Sequence, residues 1–224
     1  MTLRDVIRQL QDTTAFASER ERCVALHNFV RDEIAFGFTV GFEGVSPEQT
    51  LAARRGHCNA QADLFRALLE AVDIPARLRF VQIAKETLFG AVPLPVYFCL
   101  PTTLFHAVTQ VRVAGAWSNT DSYILQPAAF ARQMARLLQT GRALGFGLTR
   151  SARYEWDGAT NSFAQAQVSD LHEGNPVFAS LADALAATAG NNRLFGIHFN
   201  RWLACVPPAL NQAGERYLNS RLEG

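Results

Sequence analysis

Three residues of this 224-residue chain have the types and order needed for nucleophilic chemistry: Cys58, His106 and Asp121. A cysteine thiolate attacks a carbonyl carbon, a histidine takes the thiol proton and returns it, and a carboxylate fixes the imidazole tautomer. Four cysteines compete for the first role. The ordinary use of a free cysteine is as a small buried hydrophobe. Cys23 in an amphipathic stretch, Cys99 in a proline-rich apolar run and Cys205 beside Pro207-Pro208 all suit that use.

Cys58 has a different setting. It follows Gly56-His57, which reads as a tight turn, and it opens an Ala- and Leu-rich helix over 59–72 that is broken before Pro75. First-turn amides lack intrahelical partners, and the helix dipole adds positive potential there, the environment in which cysteines become thiolates. Counting 3.6 residues per turn, Cys58 shares a face with Ala62, Phe65 and Leu69, all apolar. The nucleophile would sit at the end of the inward face.

A hairpin selects the base. His106–Val113 and Ala116–Tyr123 read as two strands around Ala114-Gly115. A two-residue turn pairs Arg112 with Trp117, Val108 with Asp121 and His106 with Tyr123. Side chains alternate, so His106 and Asp121 share a face as diagonal neighbours, roughly 7–8 Å apart at the backbone. A slip of one residue would separate them.

Other polar residues carry weaker signals. Gln49, Asn59, Trp117 and His57 are candidates for a second oxyanion donor or a substrate contact beside the Cys58 amide, with helix-surface, packing or turn roles as their bland alternatives. A zinc site from His57, Cys58 and His106 fits no common ligand spacing and would consume the nucleophile, so neither metal nor cofactor is expected. His172-Glu173 and His198 lack partners at helical spacing. The Phe36–Phe42 stretch and Leu194–Phe199 are apolar and Gly-bearing; core packing is their first use, a pocket wall or lid their second.

The remaining elements must position these groups. Residues 1–35 read as helical, and Ser46-Pro47-Glu48 opens a short helix running to Arg54-Arg55-Gly56. Arg77–Ala84 reads as a strand, the segment holding Pro93, Pro95 and Pro101 as loop or edge strand, and 128–140 as helix. Arg150–Trp156 and Ser162–Val168 suggest a second hairpin, with helices over 180–189 and 208–221. Helices precede strands, which favours α+β over an alternating α/β fold.

Composition is that of an ordinary globular chain, 49% hydrophobic and 18% charged. Net charge is +1 and the arginines are scattered, so no field recruits nucleic acid or an anionic membrane. No apolar run approaches the roughly 18–20 residues of a membrane span, and the N-terminal residues do not read as a secretory signal. Four widely spaced cysteines suit a reducing compartment, so the expected location is cytoplasmic. Nothing specifies oligomeric state.

Taken together, Ser46-Pro47-Glu48-Gln49-Thr50-Leu51, Arg55-Gly56-His57-Cys58, Ala67-Leu68-Leu69, Ile74-Pro75-Ala76-Arg77, Phe105-His106-Ala107, Trp117 and Asp121 resemble the core of the transglutaminase-like superfamily. The resemblance covers about residues 20–127. It differs at His57, where members often carry Asp, and at Asp73, where Gly is commoner. It implies a papain-related α+β fold, with a Cys-bearing helix packed on an antiparallel sheet bearing His and Asp. The expectation is one domain over 1–224, with a mixed extension over 128–224. The expected chemistry is acyl transfer through a thioester. Water as acceptor gives hydrolysis of a peptide, protein or small amide; an amine gives a transglutaminase or amide-forming acyltransferase. A non-catalytic ligand-binding domain is the alternative of another class.

Overall fold

The computed structural model describes residues 1–13, 15–190 and 192–223, except for the side chains of 221 and 223. The N-terminal stretch forms two helices rather than one, α1 (Leu3–Thr13) and α2 (Glu19–Glu33). Ser18 caps α2, its side chain accepting from the Glu21 amide. A short strand β1 (Ala35–Phe36) follows, then α3 (Pro47–Ala53), and then β2 (Arg55–Gly56), which pairs parallel with β1. Ser46 and Gln49 form a capping box at the start of α3, with Pro at the first turn as expected.

Helix α4 (Cys58–Glu70) is the hub of the fold. Every residue from Asn59 to Leu69 is buried, so the helix is enclosed all round rather than along one stripe. Its end explains one departure from the family pattern. Asp73 has φ +60°, and the Ile74 amide donates to Leu69 O, the geometry of a helix terminated by a left-handed residue. Glycine is the usual occupant; aspartate is among the few residues that tolerate the position.

Strands β3 (Ala76–Ala84), β4 (Thr103–Val113) and β5 (Ala116–Thr120) form an antiparallel sheet that β8 (Val177–Phe178) completes in the order β5-β4-β3-β8. Ala114 and Gly115 both have positive φ, the two-residue turn that matches strand twist. Arg112 pairs with Trp117 and Thr109 with Thr120, the register deduced from the sequence, but β5 ends at Thr120, so the expected pairs of Val108 with Asp121 and His106 with Tyr123 do not form. Two apolar clusters divide the sheet. Leu78, Phe80, Ala107 and Val111 pack with α4 on one face; Val81, Ile83, Leu104 and Val108 pack with Phe163 and Ala166 on the other.

Three expectations need correction. The segment of Pro93, Pro95 and Pro101 contains a helix, α5 (Leu94–Cys99), because Pro93 and Pro95 sit at its cap and first turn, where proline is compatible with a helix. After α6 (Pro127–Gln139) comes only a small hairpin of β6 (Leu144–Gly145) and β7 (Leu148–Thr149). No hairpin joins 150–156 to 162–168. The Arg153 amide does donate to Phe163 O, but Ser162 bridges to Thr120 at the end of β5. Helix α7 (Leu181–Ala186) is shorter than the expected 180–189.

The C-terminal part comprises the β9 (Arg193–Leu194) and β10 (Ile197–His198) hairpin, α8 (Phe199–Cys205) and α9 (Pro208–Glu223). Asn219 of α9 donates to Phe38 O and accepts from the Phe38 amide, anchoring the C-terminus to the Phe-rich stretch. Among the described residues, no helix is long and apolar enough to cross a membrane.

Candidate active site

Strand β5 stops at Thr120, while β4 continues back to Thr103, so the β4 edge at Phe105 and Ala107 has no strand beside it. Two asparagine side chains satisfy that edge. Asn59 Oδ1 accepts from the Ala107 amide at 2.8 Å, and its amide group donates to Phe105 O at 3.1 Å. Asn192 accepts from the Phe105 amide at 2.9 Å and also donates to Phe105 O. Asn59 lies in the first turn of α4, so these bonds lock the helix N-terminus against the sheet edge. Cys58 is thereby brought beside His106, although α4 and the His106 side chain belong to opposite faces of the sheet.

Gly56 lets α3 and the start of α4 pack closely together. A Cβ there would lie 2.9 Å from Thr50 Cγ2 and 3.2 Å from Ala60 Cβ. The N-cap residue His57 makes no side-chain cap, so the positive end of α4 is left without a side-chain acceptor. The Cys58 thiol lies 3.6 Å from Asn59 Oδ1.

His106 Nε2 donates to Asp121 Oδ2 at 2.7 Å, and both residues are fully buried. Asp121 also accepts from the amides of Ala164 (2.5 Å), Ala166 (2.8 Å) and Gln165 (3.3 Å). The carboxylate is thus fixed by the 164–166 segment that runs beside the end of β5. Nδ1 of His106 makes no geometric hydrogen bond. Burial alone would lower the His106 pKa. The charge interaction with Cys58, the hydrogen bond to Asp121, the contact with the Cys58 sulfur and the Asp121 charge more than reverse that, holding it up at about 10. Nε2 of His106 is committed to the carboxylate, which leaves Nδ1 as the nitrogen free to serve Cys58.

The other candidates are placed differently. Gln49 caps α3 by accepting from the Ser46 amide. Trp117 lies at the turn end of β5, part-exposed, with the Arg77 guanidinium 4.3 Å over its ring. Asn59 is adjacent to the thiol, but its amide group is occupied by Phe105 O and Glu43. His57 is buried, not a surface turn residue; it stacks on Phe42 at 4.4 Å, and neither ring nitrogen has a partner. Burial, then the nearby His106, lowers its pKa to about 3. His198 lies 3.7 Å from Glu43, a pairing across sequence that spacing does not reveal.

Sequence reasoning missed Glu43, Asn192 and the 164–166 amides. Glu43 is buried and accepts from both Asn59 (2.7 Å) and Asn192 (2.6 Å); burial raises its carboxyl to about 7 against these bonds. Among the described residues, no group of three His, Cys, Asp or Glu side chains is arranged to hold a metal ion. Cys23 is fully buried, and burial pushes its thiol up to about 12.

Cys58 and His106 open on a cavity of about 520 Å³. The Phe36–Phe42 stretch and Leu194–Phe199 both contribute to its wall, so their second expected use is the one observed, although Phe36 also packs against the core.

A family model described as the transglutaminase-like superfamily matches residues 5–122. No curated protein matches the chain. A crystal structure from Cytophaga hutchinsonii, named a "putative cysteine protease", is similar at 25% identity, covering 48% of this chain and 32% of that one with a TM-score of 0.35. The present chain thus spans about a third of that protein's length.

Proposed function

The chain belongs to the transglutaminase-like superfamily, and on that premise we propose that it is a cysteine-dependent acyl-transfer enzyme with Cys58 as nucleophile, His106 as acid and base, and Asp121 as the orienting carboxylate. The observation that carries the reading is the buried 2.7 Å bond from His106 Nε2 to Asp121, with Cys58 close enough to raise the His106 pKa. A histidine serving only to pack the strand would have no need of a carboxylate held by three further amides.

The reaction balances with these groups. The Cys58 thiolate attacks the carbonyl carbon, and the first-turn amides of α4 stabilise the oxyanion. The C–N bond breaks, the Nδ1 proton of His106 passes to the leaving amine, and an acyl thioester remains on sulfur. Water then gives a proton to His106 and its oxygen to the acyl carbon, the C–S bond breaks, and the thiolate is restored. Hydrolysis of a peptide or small amide is the favoured outcome; an amine replacing water at the second step gives the transferase. The reaction needs no cofactor, nucleic acid or membrane. The four free thiols suit a cytoplasmic, reducing location.

The test is turnover of a panel of acyl-amides by the full chain, with and without added primary amine, beside Cys58→Ala. Acid released by the native chain and lost in the variant supports the reading, and an amide formed with the added amine would move it to the transferase. Equal turnover by Cys58→Ala would refute it.

A further inference from the structure

The cavity beside Cys58 has a chemistry of its own. It lies between the Phe-rich stretch, the region around α5 and the C-terminal hairpin and helices, and Phe38, Phe42, Val96, Leu194, Phe199 and Leu203 are among its lining residues. Its volume of about 520 Å³ is in the range that encloses most of a small organic ligand. The polar groups on its wall are already engaged. Asn192 is bonded to Glu43 and Phe105, Asn211 donates to Leu203 O and Val206 O, and the Gln165 amide group donates to Gly147 O. The wall's one carboxylate, Glu215, accepts from the Val40 amide. What stays unpaired is uncharged: Thr39 Oγ1, Gln165 Oε1 and the neutral ring of His57. No Lys or Arg side chain is among the described lining residues, so a carboxylate placed away from His106 would lose its hydration without gaining a partner.

A second observation lies outside the cavity. The elements framing it also expose apolar side chains: Leu94, Val96 and Phe98 of α5, with Phe195 and Trp202 on the C-terminal side, Phe98 at 72% and Phe195 at 85% exposure. Val96 and Trp202 belong to the cavity wall as well, so the apolar surface continues from the wall to the outside. Such a surface is what a hydrophobic ligand meets before it is enclosed.

We infer that the acyl group transferred to Cys58 is apolar and uncharged, a medium-length alkanoyl or arylalkanoyl chain that fills this cavity. The inference rests on the cysteine reading above and adds its substrate class. The acyl side, rather than the leaving group, belongs in the cavity because it stays bound through both chemical steps, whereas the amine must depart to solvent after the first. Binding of the chain is then retained in both transition states. An anionic peptide side chain finds no Lys or Arg among the described residues of this wall.

The test uses the full chain with p-nitrophenyl esters of acetate, butyrate, octanoate and the mono-ester of suberate, which has the length of octanoate with a carboxylate at its end. Intact mass identifies the acylated residue. The expected result is acylation of Cys58, with kcat/KM rising about three- to fourfold per methylene from acetyl to octanoyl. The suberyl ester should fall more than about tenfold below octanoyl, because its carboxylate is desolvated without a partner. Val96→Asp, on the cavity wall, should lower the octanoyl-to-acetyl ratio of kcat/KM about fivefold or more. Acylation of Cys58 with a flat series, or with suberyl equal to octanoyl, overturns the substrate class and leaves the nucleophile standing. Equal loss on both esters in Val96→Asp overturns the placement of the chain. An acyl group found on another residue, or on none, removes the cysteine reading and this inference with it.

Discussion

The Asp121 carboxylate accepts four hydrogen bonds, three from consecutive amides and one from His106, and in the proposed mechanism that arrangement determines what each ring nitrogen can do. With Nε2 committed to the carboxylate, only Nδ1 can exchange protons with sulfur. Asp121→Asn replaces a charged acceptor with one that can present a donor, so kcat should fall by about 10²–10⁴. The pH dependence has a defined sign. His106 is held protonated up to about 10, so the falling limb of kcat/KM should lie near that value. Loss of the Asp121 charge removes part of what raises it, and the limb should move to lower pH in Asp121→Asn. A limb that stays in place would separate His106 from the reaction. His106 and Asp121 were legible in the sequence because alternation and a two-residue turn fix which side chains share a face. The amides of 164–166 were not, because a backbone N–H has no residue identity and alternation in that segment mimics a strand.

At the level of elements, the unpaired edge of β4 joins the helix to the sheet. Asn59→Ala leaves the Ala107 amide without its acceptor, and Asn192→Ala does the same to the Phe105 amide. Each orphaned group should cost about 1–3 kcal/mol, read from urea unfolding. Asn59→Ala should also slow acylation of Cys58, since the first turn of α4 loses its attachment to β4. The end of the same helix gives an opposite prediction. Asp73 holds φ +60°, so Asp73→Gly should stabilise the chain by up to about 1 kcal/mol, and an unchanged or lower urea midpoint would refute the account of this turn. The α3 cap, the start of α4 and the turn between β4 and β5 could be read from local patterns, but the outer ends of the two strands could not. The position of α5 could not, because prolines at a cap and first turn look the same in sequence as prolines in a loop.

For the molecule as a whole, Glu43 connects the Cys-bearing helix to the C-terminal segment through Asn59, Asn192 and the nearby His198, while its backbone amide donates to Asn200. Burial raises its carboxyl from 4.5 to about 7. The folded state therefore holds this proton more tightly than the unfolded chain, and stability is lost as pH rises between those values, by up to about 3 kcal/mol. Glu43→Gln, neutral at all pH, should abolish that part of the slope and be relatively more stable above pH 7; thermal unfolding across pH 4–8 reads it directly. None of this long-range closure was visible in the sequence, since Glu43 and Asn192 are 149 positions apart and neither lies in a motif.

In the proposed mechanism Cys58 is the activated thiol of the four, and competitive alkylation with iodoacetamide followed by peptide mass mapping measures that most directly. Cys99 and Cys205 are exposed and Cys58 only partly so, so accessibility alone would favour the former pair. Cys58 should nevertheless label first in the native chain at neutral pH, and lose that lead in His106→Ala. Labelling of Cys58 no faster than Cys99 and Cys205, or a lead untouched by His106→Ala, would contradict that mechanism.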